Sequence, residues 1–497
     1  MKVSRILTIF GIVVIATLLS ITGNAHAKVL YVGPWEEYTS IQDAIDNATD
    51  GDTIIVRDGV YYENIKVTKR LMIKSENGSD NCIIDGRGKT VVTLKADGVT
   101  IEGFTIRNST RVDSAWSAGI RIRSNSNNIR HNKILNNEIG IELESSNNNI
   151  IVHNNICSSV SEGIYILSSN NNRIAFNNIS DSIYGIWLRS SSNNTIINNT
   201  MYSGGVTIYG NKLQHWNTHT IENNTVNGKP IYYFKNKIGG KIPEDAGEVI
   251  LANCKGMIIE NLRIGNTDAG IEIAFSSHIT IRDNNISNIY GYGIRLYSFN
   301  NSNITNNNIS NNGDGIWLSL SDNNSIVYNN ISNNYLNGIE IASSNNNIIM
   351  HNNIYSNDCE GIYLWSSSNS IITFNNISSN GGTGIWLYSS NGTVITYNSI
   401  SNNFCGIYIE YSYHNSIEKN NFISNKYQAR FHGSSKNRWI GNYWDDWRII
   451  LPRPIFGVMP KLLVEGHGGP PIGIRIPWLN FDWLPAMEPY IVSGSAV

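Results

Sequence analysis

The sequence predicts an all-β fold, a single-stranded right-handed parallel β-helix. It is a solenoid of about 22–23 residues per coil, with a helical N-terminal cap and an aromatic, Pro-rich C-terminal cap. Three observations predict it. Gly-apolar pairs recur at Gly119, Gly140, Gly163, Gly185 and Gly205 and resume at Gly270, Gly293, Gly315, Gly338, Gly361, Gly384 and Gly406, the later steps being 23, 22, 23, 23, 23 and 22 residues. Apolar residues sit one and three places after the Gly (Ile316 and Leu318, Ile339 and Ile341), with Ile again at places 11 and 16 (Ile326 and Ile331, Ile349 and Ile354). This alternation marks three short strands per coil with their apolar sides inward. Asn stands at place 14 in coil after coil: Asn154, Asn177, Asn284, Asn307, Asn329, Asn352, Asn375 and Asn398.

Residues 1–27 read as a secretory signal, with a basic start, an apolar run and Ala25-His26-Ala27 as an A-x-A cleavage site. No later segment is apolar and long enough to span a membrane, and no Cys at the cleavage site argues for a lipoprotein. Residues 28–67 form the N-terminal cap and first coil. There Ile41, Ala44, Ile45 and Ala48 share a helical face, and Ser40 with Asp43 resembles a capping box. The β-helix proper is expected over 68–425, roughly fourteen coils or about 65–70 Å at one rung per 4.8 Å. In it, Gly and the place-14 Asn turn the corners, the Asn tolerating a left-handed backbone and bonding along the stack. The 65 residues from Gly205 to Gly270 amount to nearly three steps, and the segment of about 226–248 is expected to bulge from the wall, opened by an Asn227-Gly228 hairpin turn. Residues 426–497 are the C-terminal cap. The five Cys (82, 157, 254, 359 and 405) are read as buried thiols. An odd count leaves at least one unpaired, and Cys359 and Cys405 lie two coils apart.

Net charge −2 offers no basic surplus for a phosphate backbone, so nucleic acid is not the expected partner.

Repeats of the form GIxLxxSxxNxIxxNxI, the stretch NGKPIYYF (227–234) and the ending NYWDDW (442–447) resemble the exported NosD-type β-helix proteins of the pectin-lyase-like superfamily, with their carbohydrate-binding and sugar-hydrolase repeats. The resemblance spans roughly 30–450. It implies a periplasmic copper-handling role in nitrous oxide reductase maturation, while the tail after Trp447 departs from the copper-associated members.

Places 2 and 4 after each Gly point away from the interior. Down the stack they read Tyr165, Trp187, Arg295, Trp317, Tyr363, Trp365, Trp386, Tyr388 and Tyr408, interspersed with Arg121, Glu142, Glu272, Glu340 and Glu410. Sugar rings stack on Trp and Tyr while Arg, Glu and Asn bond their hydroxyls, so an exposed aromatic stripe suits an extended polysaccharide. Cross-strand packing is the competing explanation. The favoured reading is a secreted, cell-surface or periplasmic glycan-binding or structural protein with no assigned catalytic residue. The alternatives are a polysaccharide lyase or epimerase, which needs an acid and a base converging beside the stripe, and a copper accessory factor.

For copper, His131 and His153 occupy one corner of adjacent coils, and His215 and His219 share parity in one expected strand. Asp314, Glu340, Asp358 and Glu360 are a calcium or acid/base candidate. Asn266-Thr267-Asp268 and Gly466-His467-Gly468 resemble polygalacturonase fragments, but no Asp pair lies one coil beyond Asp268. Asn-Ile-Ser glycosylation signals start at Asn178, Asn285, Asn330 and Asn376 and arise from the repeat itself.

Overall fold

The computed structural model describes residues 27–110, 116–464 and 472–492. The signal segment up to residue 26 and Gly466-His467-Gly468 lie outside them. The chain winds about 18 turns of right-handed parallel β-solenoid. Fourteen coils is an undercount, because the first coils, such as Thr53–Val56 and Met72–Ser75, stack without the Gly-Ile signature.

One coil shows the logic. Asp314–Ser319, Ser325–Val327 and Asn330–Ser332 are its three strands. They pair in parallel with the next coil, Ile316 opposite Ile339, Ile326 opposite Ile349 and Ile331 opposite Ile354. All six isoleucines are fully buried, each a side chain worth about 1.5–3 kcal/mol on removal from water.

The place-14 Asn bond as expected but do not turn the corner. Asn329 Oδ1 accepts both the backbone N–H and the Nδ2–H of Asn307, and its own Nδ2 donates to Asn352 Oδ1 and to the Ile304 and Val327 carbonyls. The left-handed residue is the one before: His153, Phe176, Tyr328, His351, Phe374 and Tyr397 have φ near 55°. The Asn is buried and its amide satisfies the backbone exposed by that turn. Further ladders run along other columns, among them those at places 6 and 19. In these, the Ser321 amide donates to Ser344 Oγ and the Asn334 amide to Asn357 Oδ1.

The repeat glycines do not turn corners either. A Cβ on Gly338 would lie 2.7 Å from the Gly361 carbonyl oxygen and 2.7 Å from Ile354 Cγ2. The residue is Gly because the next coil is too close for anything larger.

At the N-terminal end, Ile41–Asn47 is the cap helix, with Ile41, Ala44 and Ile45 buried over the first rung. Ser40 Oγ accepts the Asp43 amide, but the reciprocal half of the box comes from Glu63, whose carboxylate takes the Ile41 and Gln42 amides at 2.9 Å. At the other end the coils run past Asn425 to Tyr443–Trp444. Asp482 seals the last rung, accepting from the Gly441 and Asn442 amides and from Trp444 Nε1. It lies at the end of the antiparallel pair Arg453–Val464 and Ile472–Asp482.

The stretch from 205 to 270 departs most from expectation. Asn227 and Gly228, both with positive φ, join Thr225–Val226 to Lys229–Lys235 as the expected hairpin. The segment that follows does not bulge. Lys229–Lys235 pairs in parallel with Glu248–Ala252 and opens a new broad sheet. The earlier broad sheet ends at Val206–Tyr209. The interior is divided into two apolar clusters, and the first reaches across the joint to Ile231, Ile250, Ala252 and Ala274 of the second stack.

Candidate functional site

The place-2 residues form a registered column on the outer side of the broad sheet. Arg295 pairs with Trp317, then Glu340, Tyr363, Trp386, Tyr408 and Arg430 follow rung by rung. Ring centroids are 4.9 Å apart for Tyr363–Trp386 and 5.6 Å for Trp386–Tyr408, with tilts of 32° and 35°. Tyr165 and Trp187, at 5.3 Å, form the same arrangement before the joint. Next to the column, Trp365 pairs with Tyr388. Trp365 is 46% exposed; Tyr165, Trp187, Trp317, Tyr363, Trp386, Tyr388 and Tyr408 are half-buried, Trp317 against Tyr292 and Tyr388 against Tyr411. The stripe exists, but it is more packed than alternation alone suggested. Beyond it, Tyr408, Glu410, Arg430, His432 and Phe456 line a broad cleft of about 590 Å³.

Arg295 does not belong to an open stripe. It is 4% exposed, and its Nη1 bonds Glu272 Oε1 at 2.8 Å and the Ile208 carbonyl at 3.0 Å. The reason is the joint. Val206–Tyr209 ends its sheet with unpaired N–H groups, and carboxylates from the second stack satisfy them. Gly205 N–H donates to Asp268 Oδ1, Val206 N–H to Glu248 and Ile208 N–H to Glu272 Oε2. The fit is close enough that a Cβ on Gly205 would fall 1.6 Å from Glu248 Oε2. Burial pushes all three carboxyls up: Glu272 to about 7, Glu248 well above its ordinary value, and Asp268 upward against the pull of its hydrogen bonds.

Around this joint opens a smaller cleft of about 270 Å³. It is walled by Tyr184, Trp187, Tyr209 and Tyr292, with Asp268, Glu272 and Arg295 at its base and Arg189 at its mouth. The sequence shows no acid one coil beyond Asp268, and it does not show the approach of Gly205 and Thr207, which depends on the joint. Spacing carried no signal of this, because the 65 residues from Gly205 to Gly270 amount to nearly three coils. A second missed residue is Glu162, 4% exposed, with Oε2 unpartnered and its carboxyl pushed up to about 7, first by burial and then by Glu142 and Glu138.

His131 and His153 are stacked rings, 5.2 Å apart and within 2° of parallel, and the stack continues into Phe176 at 5.1 Å. Tyr328, His351, Phe374 and Tyr397 repeat the pattern further on. Such a pile of ring faces does not converge on a point, and no three His, Cys, Asp or Glu among the described residues are placed to hold a metal. The corner therefore does not fit copper. Asp314, Glu340, Asp358 and Glu360 are likewise not brought together as a group of three or more. Asp314 instead accepts the Asn337 amide, with burial pushing its carboxyl up to about 6. His215 lies in a short helix, Gln214–Asn217. His219 takes the place of a ladder Asn at the Asn194 amide, and burial pushes its pKa down to about 4. The five Cys are free, three of them buried. Asn178 and Asn285 are exposed, Asn330 and Asn376 half-buried.

The coil geometry, the inward isoleucines and the ladders define the class, a right-handed parallel β-helix repeat protein. The family model for the right handed beta helix region matches residues 177–330, 239–371 and 300–443, together more than half of the chain, and the chain belongs to that family. The model of the periplasmic copper-binding protein NosD matches residues 45–238, less than half of the chain. A cell surface glycoprotein of Methanothermus fervidus is 41% identical over 97 residues, 19% of this chain and 16% of that protein's length. Among solved structures, the Azotobacter vinelandii mannuronan C-5 epimerase AlgE4 A-module is 16% identical, covering 81% of this chain and 86% of its own, with a TM-score of 0.33. The periplasmic alginate epimerase AlgG is 15% identical, covering 82% of each chain, with a TM-score of 0.34. Likeness at this level bears on neither substrate nor chemistry.

Proposed function

We propose that this protein is exported to the periplasm or cell surface and binds an extended polysaccharide along the outer columns of its broad sheet. The observation that carries the reading is the registered run Tyr363, Trp386 and Tyr408, with ring spacings of 4.9 and 5.6 Å beside the exposed Trp365. A column of rings at rung spacing offers successive sugar faces an apolar support, and Glu340, Glu410 and Arg430 beside it supply hydrogen bonds. The NosD match and the cell surface glycoprotein relative support the location.

The test is co-sedimentation of the mature protein with a panel of neutral and acidic polysaccharides, with the supernatant assayed for cleavage or epimerised products. Retention without products is the expected result. Replacing Trp365 and Trp386 by Ala should abolish most of it. Unchanged affinity in that double variant would return the column to sheet packing.

A polysaccharide lyase or epimerase is the second reading, favoured by the convergence of Asp268, Glu272, Tyr184 and Tyr292 in the joint cleft. Products in the supernatant would put it first.

A further inference from the structure

In the joint cleft the acceptors are spent and the donors are not. Asp268 Oδ1 already accepts from the Gly205 and Ala269 amides and the Thr267 hydroxyl, and Oδ2 from Thr207 Oγ1. Glu272 gives one oxygen to the Ile208 amide and the other to Arg295. Arg295, by contrast, uses only Nη1. Its Nε and Nη2 have no hydrogen-bond partner among the described residues, although the side chain is 96% buried and lines the cleft. The Trp187 indole N–H, on the same wall, is buried without a partner. Arg189, at the mouth, has no carboxylate partner among the described residues and makes one long bond, 3.4 Å to the Tyr165 hydroxyl.

The idle N–H groups of the Arg295 guanidinium open onto the cleft, where a ligand acceptor would pair with them. Its position is fixed in advance. The Arg295 guanidinium carbon lies 4.9 Å from the Tyr209 ring centre and 5.6 Å from that of Tyr292, so it binds without first being ordered. Arg295 is paired with Glu272, and Arg189 adds a second cation that has no carboxylate partner among the described residues. A guanidinium fork matches the plane of a carboxylate in a bidentate pair. At about 270 Å³ the cleft is smaller than sites for drug-sized ligands, roughly 300–1,000 Å³. It suits one residue of a polymer continuing along the sheet.

We propose that the joint cleft binds the carboxylate of a uronic acid residue in an acidic polysaccharide, with Arg295 and Arg189 as its donors and the Trp187 and Tyr292 rings as walls. The inference rests on the polysaccharide-binding reading and gives it a substrate class.

The experiment compares dissociation constants for a polyuronate and for the same polymer with its carboxyls reduced to alcohols. The free uronic acid monosaccharide is a third probe. The full mature protein, Arg189→Gln, Arg295→Lys and Trp386→Ala are tested at two salt concentrations. The native protein should prefer the polyuronate at least tenfold, less so at high salt. Because a charge-assisted hydrogen bond is worth about one to two factors of ten, Arg189→Gln and Arg295→Lys should each cut that preference about tenfold. Trp386→Ala should weaken both polymers and leave their ratio. Equal affinity of the native protein for both polymers would overturn the inference and leave polysaccharide binding standing. A preference that survives both Arg substitutions would also overturn it. Binding of the monosaccharide with neither polymer would overturn both readings, as would no binding at all.

Discussion

Glu162 should make the solenoid less stable as pH rises, and Glu162→Gln should remove that dependence. The carboxyl is 4% exposed, its Oε2 has no partner, and burial, reinforced by Glu142 and Glu138, holds its pKa at about 7 against an ordinary value of 4.5. The folded state therefore keeps a proton that the unfolded chain releases. A group raised in this way stabilises fully below about pH 4.5. Its contribution falls as pH rises to about 7 and is level above that. One pKa unit is about 1.4 kcal/mol, so the full span is worth about 3 kcal/mol. Glutamine keeps the shape and cannot ionise. The variant should match the native protein at pH 4.5 and exceed it by up to about 3 kcal/mol at pH 8. Other buried carboxyls, Glu272 at about 7 and Asp314 at about 6, titrate in both proteins, so the difference between the two isolates Glu162. Repeat stacks depart from two-state unfolding, so the comparison is of thermal and urea midpoints measured side by side from pH 4.5 to 8. A midpoint difference that stays constant across that range, or a variant less stable at pH 8, would refute the reasoning.

Two further outcomes follow from the stacking. Asn329→Ala leaves the buried Asn307 backbone amide without its acceptor and removes the side-chain bonds to the Ile304 and Val327 carbonyls, and should cost about 1–3 kcal/mol. Hydrogen exchange should rise in the coils on either side of residue 329 and not at the N-terminal cap. Gly338→Ala brings a Cβ to 2.7 Å from a backbone carbonyl that cannot swing aside, and should lower stability by about 1–3 kcal/mol in urea titration. Exposed Gly228→Ala, by comparison, meets no atom within 4 Å and strains only its own positive φ.

The candidate site was half legible. Trp365, Trp386 and Tyr408 fall where alternation puts them, because side-chain direction along a strand has period two whatever the surroundings. Arg295 has the same parity and a different fate. Parity says which side of the sheet a residue faces, not what lies over that side. His131 and His153 were legible as neighbours on one corner, but whether neighbouring rings stack or converge depends on ring orientation, which spacing leaves open. The 65-residue gap divides nearly evenly into coils, so counting could not separate a continued stack from a joint.

The sequence by itself determined the coil length, the inward isoleucines, the Asn ladder, the cap helix and the Asn227-Gly228 hairpin. The first three follow from forces within one repeat or between like neighbours, so one coil's pattern carries them, and the cap helix and hairpin follow from short local sequence. Only the tertiary structure decided where the stack is rejoined, that Glu248, Asp268 and Glu272 satisfy the amides of Val206–Tyr209 and its neighbour Gly205, and that a donor-rich cleft opens there. Those contacts join residues 42 to 64 positions apart, where the broad sheet changes from one stack to the next. What satisfies an unpaired strand edge there is fixed by the packing of two stacks, which no single repeat encodes.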